Sequence, residues 1–124
     1  MIEKYIESWL KQDIKLFSST LHENVTIMEC YGPIYKGKDA NVMWFDKWNV
    51  KTNIVTDWKI LSFSYDSDND SCSFEWGFSC IFEKKEYSFF GCSFATFKDK
   101  LIFTLNEYEM KKEQYLPYNK SNDA

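Results

Sequence analysis

The sequence predicts an α+β domain in which two or three N-terminal helices pack into the hollow of a curved, mostly antiparallel sheet. Apolar residues recur with helical spacing in the N-terminal part, and the period changes to two from Asn53 onward. Short polar segments then separate long segments rich in apolar and aromatic residues, which is the pattern of consecutive antiparallel strands.

The helices follow from the spacing of their apolar residues. The first helix presents one apolar face, formed by Ile2, Tyr5, Ile6, Trp9 and Leu10. Asp13 is the predicted N-cap of a second, short helix that ends near His22, where a partial positive charge suits the helix dipole. The inward side of this helix is predicted to be Ile14, Phe17 and Leu21. A third helix is predicted from its cap Asp39 to about Trp48. Its inner side is either Val42, Phe45 and Trp48, or Met43 and Trp44.

The strands are bounded by turn residues. A first strand contains Val25, Ile27 and, at its limit, Glu29, before a turn at Tyr31-Gly32-Pro33. The four long strands cover residues 54–65, 72–83, 87–97 and 101–110. Residues 1–110 are therefore predicted to form one domain, and residues 111–124 a polar, loosely ordered tail.

Composition excludes several classes of partner. The net charge of −4 and the absence of arginine among 15 basic residues argue against nucleic acid, nucleotide and anionic membrane partners. The lysine-only usage is also compatible with an AT-rich genome. The four cysteines form no CxxC pair and there is one histidine, so we expect no metal site. The charged N-terminal residues do not resemble a signal peptide, so a cytoplasmic location is predicted.

Several strands are apolar on both faces. One face of the second long strand carries Cys72, Phe74, Trp76, Phe78, Cys80 and Phe82. The third long strand has Phe90, Cys92 and Phe94 on one face, with Phe89 and Phe97 on the other. Because helices can cover only one face of the sheet, a homodimer through the sheet is the simplest cover for the other face.

Several short motifs support a more specific resemblance. These are residues 31–38, 44–49, 58–60, 75–76, 91–93 and 97–102, which read YGPIYKGK, WFDKWN, WKI, EW, GCS and FKDKLI. With the element order, they resemble bacterial members of the SnoaL-like and ketosteroid-isomerase-like group of the nuclear transport factor 2-like superfamily, over roughly residues 1–110. The resemblance implies a cone with an apolar pocket between sheet and helices. That pocket would be lined from Tyr5, Trp9, Phe17, Tyr31, Trp44, Trp48, Trp58, Trp76 and Phe90. The alternative is that these aromatic residues simply fill the cone.

Tyr5 and Glu29 are the candidate catalytic residues that this resemblance implies. The stretch from Tyr5 to Asp13 is similar to the first helix of ketosteroid isomerase, whose tyrosine donates a hydrogen bond to the developing oxyanion. The stretch from Glu29 to Gly32 is similar to the one that carries the general base of that enzyme. The position of its second, protonated acid falls near Ser93. Tyr5 could instead be a core residue, and Glu29 could face solvent.

Three other carboxylates lie on predicted strands, where the alternation of side chains indicates which face of the sheet each one occupies. Glu107 lies on the last strand, whose polar residues often reach the pocket in the proteins that the chain resembles. Glu75 must face away from Trp76, and Asp57 away from Trp58, because successive side chains alternate between faces. A solvated or cross-strand role is the alternative for all three. The predicted ligand-binding residues are Trp9, Tyr31, Trp44, Trp48, Trp58, Trp76, Phe90 and Glu107.

Three functions remain open. The first is a small-molecule enzyme of the isomerase, cyclase or dehydratase type, in which Glu29 moves a proton and Tyr5 polarises an oxygen of an apolar substrate. The second is a binding module that holds an apolar ligand without turnover. The third is an interaction module that uses the sheet face. No cofactor is expected, because no phosphate-binding or nucleophile motif is present.

Overall fold

The computed structural model of the protein describes residues 1–118 as three helices and one six-stranded sheet. The helices are α1 (Ile2–Lys11), α2 (Ile14–Ser19) and α3 (Lys38–Trp48). The strands are β1 (Leu21–Met28), β2 (Ile34–Lys36), β3 (Ile54–Asp66), β4 (Ser71–Phe82), β5 (Lys85–Lys98) and β6 (Leu101–Met110). The sheet has the order β2-β1-β6-β5-β4-β3. The helices pack on one side of this curved, unclosed sheet, so the predicted α+β cone is confirmed.

The sheet is antiparallel except at one strand pair. Strands β3 to β6 pair consecutively through short turns, whereas β1 runs parallel to β6. Register shifts occur twice in the β3–β4 pair, after Val55 and Ile60, and once in the β5–β6 pair, after Thr96. The β1–β6 pair has a fourth, between Leu21 and Thr26. Such irregularities bend a strand and increase its twist, which gives the sheet its concave face.

The core lies between the concave face of the sheet and the helices. Phe17 of α2 is completely buried at its centre and stacks on Phe45 of α3, with ring centroids 4.3 Å apart. Trp9 of α1 packs on the same Phe45 ring at 4.6 Å. The predicted apolar face of α1 is buried, apart from Leu10, which is 38% exposed beside the end of the helix.

Helix boundaries differ from the predictions at several points. Asp13 caps α2 as predicted, because its Oδ1 accepts a hydrogen bond from the backbone N–H of Leu16 at 3.0 Å. The third helix is capped by Gly37 instead of Asp39, since Gly37 can adopt a φ of 89° that leads the chain into the helix. His22 lies in β1 because α2 ends at Ser19, and its Nε2 is 3.4 Å from Oδ2 of Asp99.

The inward faces of α2 and α3 also need correction. Ile14 is exposed at the first position of α2, whereas Phe17 is completely buried. In α3 the buried apolar residues are Trp44 and Phe45, one from each of the two predicted sets, whereas Met43 is exposed. These two aromatic residues are adjacent in sequence, so together they cover a wide stripe of the helix.

The C-terminal region leaves the sheet after β6. Residues 111–118 form no helix or strand, and the remainder of the predicted tail, residues 119–124, lies outside the described residues. The division into one domain and a tail stays a prediction. Within residues 1–118, no helix is long and apolar enough to cross a membrane.

Gly91 makes room for a tryptophan on the concave face. It pairs with Trp76 across β4 and β5, and a Cβ at this position would lie 2.5 Å from the Trp76 ring and still closer to the Tyr108 backbone oxygen. We expect Gly91→Ala to lower the free energy of unfolding by about 2 kcal/mol, measured by denaturant titration, because backbone and ring must both shift. Gly77→Ala is the control, since its nearest atom is in the Phe90 ring at 3.3 Å, on the exposed face. Equal unfolding midpoints for the two variants would contradict this account.

Candidate functional site

A cavity of about 440 Å³ opens between the helices and the concave face of the sheet. This volume lies within the range of roughly 300–1,000 Å³ that is usual for small-molecule sites. Most of its wall is aromatic or aliphatic, and all five tryptophans of the chain contribute to it. The lining residues are Tyr5, Trp9, Glu29, Cys30, Tyr31, Trp44, Trp48, Val55, Trp58, Trp76, Phe78, Cys80, Phe82, Tyr87, Phe89, Glu107 and Glu109.

Most of the predicted site residues line this cavity. They are Tyr5, Trp9, Glu29, Tyr31, Trp44, Trp48, Trp58, Trp76 and Glu107. Tyr31 is exposed and stands at the rim, whereas Tyr5 and Trp9 are buried in the wall. Phe17 does not reach the cavity, because it lies behind Tyr5 and Trp9, with ring centroids at 5.6 and 5.7 Å. The cone is therefore partly filled by its own aromatic residues and partly open.

Phe90 was predicted to line the pocket, and this prediction is wrong. Phe90 is 61% exposed on the convex face of the sheet, where its ring covers Gly77. Its neighbour Phe89 faces the cavity instead, opposite Phe78 of β4. Side chains alternate along β5, so the strand register decides which of two adjacent phenylalanines points inward.

Several lining residues were not predicted. Phe78, Cys80 and Phe82 lie on the same face of β4 as Trp76, so the alternation already visible in the sequence could have identified them. Glu109 shares a face of β6 with Glu107 by the same alternation, whereas Cys30 follows the end of β1 and no local pattern marks it. The Cys30 thiol lies 4.0 Å from the Glu109 carboxylate, and burial, with three nearby carboxylates, raises its pKa to about 12.

Glu107 is held on the concave face of β6 by a short polar chain. Ser93 pairs with Glu107 across β5 and β6, and both side chains are buried. The Ser93 hydroxyl accepts a hydrogen bond from the Trp76 indole N–H at 2.8 Å and donates one to Glu107 Oε2 at 3.3 Å. The hydroxyl near the predicted position of a second acid is thus fully engaged in holding Glu107.

Glu29 lies next to Glu107 because β1 runs parallel to β6. Met28 pairs with Asn106. Glu29 and Glu107 are the next residues of the two parallel strands, so they lie side by side. The turn at residues 31–33 fixes the Glu29 backbone, whose N–H donates to the Pro33 carbonyl at 2.9 Å and whose carbonyl accepts from the Gly32 N–H at 3.1 Å. A partly buried Glu29 carboxyl group therefore faces the cavity.

The two glutamates form a carboxyl pair. Burial raises the pKa of Glu29 well above its usual range, and the charge of Glu107 and a hydrogen bond to it raise the pKa further. Burial also raises the pKa of Glu107, to about 7, although hydrogen bonds from Glu29 and Ser93 favour its ionised form. Close to neutral pH the pair therefore retains a proton, which the two carboxyl groups share.

Tyr5 brings an unpaired hydroxyl to the same cavity. Burial raises the pKa of Tyr5, and the charges of Glu107 and Glu29 raise it further, so the phenol stays protonated and remains a donor. Its hydroxyl has no hydrogen-bond partner among residues 1–118. An acid–base pair and a phenolic donor thus share one apolar cavity, which is a combination suited to proton transfer next to a polarised oxygen.

The ionisable residues of the cavity wall are all acids, thiols or phenols. Glu29, Glu107 and Glu109 are its carboxylates, and no lysine or histidine is among the lining residues. In the described part of the chain, no group of three or more histidine, cysteine, aspartate or glutamate side chains is arranged to hold a metal ion. The polar side-chain groups of the lining are thus carboxyl, thiol, phenol and indole groups.

Comparison with known proteins identifies the fold. No family model matches the sequence, and no curated protein matches it. An epoxide hydrolase of the LEH-like type from M. tuberculosis has a similar structure, with a TM-score of 0.78 and 13% identity over 88% of this chain and 79% of that one. A protein of ketosteroid isomerase-like fold from Catenulispora acidiphila, in complex with trimethylamine, gives a TM-score of 0.75 and 10% identity over 86% and 82% of the chains.

A third similar structure is an NTF2-like protein of unknown function from Exiguobacterium. It gives a TM-score of 0.75 and 14% identity over 90% of this chain and 98% of that one. At such low identities the likeness concerns the fold, and the reactions of these proteins do not transfer with it. The chain therefore has the cone-shaped α+β fold that is seen in ketosteroid isomerase-like and NTF2-like structures.

Proposed function

We propose that the protein is an acid–base enzyme of the isomerase, cyclase or dehydratase type that acts on a neutral, mostly apolar small molecule. The observation that carries this proposal is the Glu29–Glu107 carboxyl pair, which opens into an aromatic cavity next to the unpaired hydroxyl of Tyr5. Buried carboxyl groups with raised pKa values are typical of proton-transfer sites.

Glu29 is the group proposed to exchange a proton with the substrate. When the proton of the pair resides on Glu107, the Glu29 carboxylate can take a proton from a carbon next to a substrate carbonyl. The electron pair of that C–H bond then forms a C=C bond, and the carbonyl π electrons move to the oxygen, which accepts a hydrogen bond from Tyr5. In a β,γ-unsaturated ketone, Glu29 then returns the proton to the γ-carbon of the dienolate, and the electrons on oxygen re-form the carbonyl, which completes an isomerisation.

Glu107 is proposed to position and tune Glu29. It is more deeply buried than Glu29 and accepts a hydrogen bond from Ser93, so it is held in place to receive the proton that Glu29 gives up. Burial and the neighbouring Glu107 raise the pKa of Glu29, which makes its ionised form a stronger base. The similar structures include an epoxide hydrolase and a protein of ketosteroid isomerase-like fold, which supports small-molecule chemistry in a cavity of this kind.

Hydrogen–deuterium exchange tests the proposal without knowledge of the natural substrate. Cyclohexanone, 1-indanone and 2-tetralone are incubated with the protein in D2O, and loss of the proton signal next to the carbonyl is followed by NMR. We expect exchange above that with heat-denatured protein. If the ketones bind by calorimetry but exchange no faster than this control, the enzyme proposal fails and the non-catalytic binding function replaces it.

We also propose that the convex sheet face pairs with a second copy of this chain. Its exposed apolar side chains lie on the outer sides of β5 and β6 and are Phe90, Phe94, Tyr108 and Met110. Phe94 and Tyr108 already contact each other, with ring centroids 5.9 Å apart. Contiguous exposed apolar surface of this kind is typical of an interface.

Sedimentation velocity tests the dimer. We expect the protein to sediment at twice the chain mass of 14.9 kDa, and Phe94→Glu to shift it to the mass of one chain. Ser88→Glu is the control, because Ser88 is exposed on the same face of β5 but hydrogen-bonds to Ser79, outside the aromatic group. A wild-type protein that sediments as a single chain over the micromolar range would exclude the dimer.

The cytoplasmic location stays a prediction. All four cysteines have free thiols in the structure, two of them buried. Free thiols are usual in a reducing compartment and therefore support the proposal.

A further inference from the structure

The cavity contains three carboxyl groups and no positive charge. Glu107 and Glu109 lie on the same face of β6, about 7 Å apart along the strand, and Glu29 lies beside Glu107. Within residues 1–118, no lysine or histidine forms an ion pair with any of these three glutamates. Carboxylates that are taken out of water are usually paired with a cation, so this cavity lacks the group that would balance its charge.

Glu29 and Glu107 reduce the cost of burial by sharing a proton, whereas Glu109 has no such partner. Glu109 is half-buried, and its one hydrogen-bond contact within the described residues is the Cys30 thiol at 4.0 Å. Burial, with three nearby carboxylates, raises the pKa of this thiol to about 12, so it stays neutral. Cys30 precedes Tyr31, whose exposed ring stands at the rim, so the unpaired carboxylate of Glu109 lies close to the cavity entrance.

The rest of the cavity wall consists mainly of aromatic rings that meet at steep angles. Trp58 stands at 75° to Tyr5 and at 79° to Trp76. Its angle to Phe78 is 89°. Rings arranged in this way form adjoining walls instead of one flat stack. Because the face of an aromatic ring carries partial negative charge, such walls attract a cation, and tryptophan does so most strongly.

Carboxylates and ring faces together favour an organic ammonium ion as a ligand. An anion is repelled by the three glutamates of the lining. A metal ion needs several ligand atoms in a suitable geometry, and residues 1–118 contain no group of side chains that could provide them. An alkylammonium ion needs no fixed geometry, because its alkyl groups contact the rings while its charge faces the carboxylates. The net charge of −4 on the chain also attracts cations.

We propose that the cavity also binds small organic ammonium ions, which are held between the aromatic wall and the carboxylates of Glu29, Glu107 and Glu109 in competition with the neutral substrate. This inference rests on the cavity and its charges and does not depend on the proposed reaction. A bound cation excludes the substrate and makes the Glu29 carboxylate a weaker base. Organic ammonium ions are therefore inhibitors of the proposed reaction.

A bound cation should displace the proton of the carboxyl pair. Near neutral pH, Glu29 and Glu107 share that proton because burial raises the pKa of both groups. A positive charge nearby favours the ionised forms, so binding lowers both pKa values and releases the proton to the solvent.

The carboxyl pair is the expected source of this proton. The other titratable groups of the lining are phenols, thiols and one carboxyl group, namely Tyr5, Tyr31, Tyr87, Cys30, Cys80 and Glu109. Phenols and thiols ordinarily keep their protons at pH 7. The lining residues from α3 and β3 are Trp44, Trp48, Val55 and Trp58, which do not titrate.

Calorimetry with three matched compounds tests the site. Choline, 3,3-dimethyl-1-butanol and 3,3-dimethylbutanoate have similar shapes but carry a positive, no and a negative charge. At pH 8 we expect choline to bind about tenfold more tightly than the alcohol, and the anion to show no binding. From pH 6 to pH 8 choline binding should strengthen about tenfold, because choline keeps its charge while the pair loses its proton. Binding of the alcohol should change little.

Proton release and variants give independent measurements. Choline titrations at pH 7 in phosphate and in Tris, which differ in ionisation enthalpy, should give different heats that report a released proton. Glu109→Gln should weaken choline binding about fivefold without affecting the alcohol, since it removes the charge but keeps the shape. Glu75→Gln is the matched control and should change neither affinity, because Glu75 is exposed on the convex face. The double variant Glu29→Gln/Glu107→Gln should lose the pH dependence.

Several results would overturn the ammonium site. They are equal affinities for choline and the alcohol, choline binding that weakens as the pH rises, or an affinity for choline that Glu109→Gln and the double variant leave unchanged. The proposed reaction is tested separately. Absence of choline binding, with exchange into ketones retained, would remove only this inference, whereas choline binding without any exchange would remove only the enzyme proposal. Where both hold, choline should slow the exchange competitively.

Discussion

Glu29→Gln is expected to reduce deuterium exchange into bound ketones by about 10²- to 10⁴-fold, the usual effect of losing a general base. Glutamine has nearly the shape of protonated glutamate, and its amide N–H can replace the proton that Glu29 donates to Glu107. The variant should therefore fold normally and bind ketones, yet lack a group that can accept a proton. Exchange rates by NMR and ketone affinity by calorimetry measure the two properties separately.

Two other glutamate variants make this experiment specific. Glu75→Gln is the control, because Glu75 is exposed on the convex face, where it accepts a hydrogen bond from Ser62. Glu107→Gln should retain exchange but move its onset to lower pH, since a neutral amide that donates to Glu29 favours the ionised form of Glu29. Wild-type exchange in Glu29→Gln would contradict the assignment, and loss of exchange in Glu107→Gln alone would make Glu107 the base.

The free energy of unfolding is expected to fall on the order of 3 kcal/mol as pH rises from about 4.5 to about 7. Burial, opposed by the hydrogen bonds from Glu29 and Ser93, raises the pKa of Glu107 from 4.5 to about 7 in the folded protein. Each pKa unit corresponds to about 1.4 kcal/mol. In this window the folded state holds a proton that the unfolded chain has lost, so stability is greatest below pH 4.5 and decreases through pH 7.

Urea titrations across this pH range measure the effect. Glu107→Gln should flatten much of the dependence, because glutamine does not titrate. The raised pKa of Glu29 acts in the same direction, so the double variant Glu29→Gln/Glu107→Gln should be flatter still. A wild-type stability that rises between pH 4.5 and 7 would mean that the two carboxyl groups are not paired and buried as described.

Much of the fold could be predicted because its signals are local. The apolar face of α1 and the polar turns between β3, β4, β5 and β6 each depend on a few neighbouring residues. The Asp13 cap is similarly local, since it needs only the backbone N–H three residues later. The same alternation of side chains correctly separated Glu75 from Trp76.

The features that sequence could not provide depend on pairing between distant segments. The Glu29–Glu107 pair exists because β1 runs parallel to β6, and no local pattern encodes that neighbour. The choice of Phe89 over Phe90 as the inward residue depends on the β4–β5 register. The sheet has four register shifts, and the three in the β3–β4 and β5–β6 pairs each reverse the parity on which such predictions rely.

The concentration of indoles around one cavity has an optical consequence. All five tryptophans of the chain line that cavity, and none lies on the convex face. The intrinsic fluorescence of the protein therefore arises almost entirely from the cavity wall. Entry of a ketone, which quenches indole emission, should dim most of the signal, whereas association through the convex face should leave the spectrum nearly unchanged.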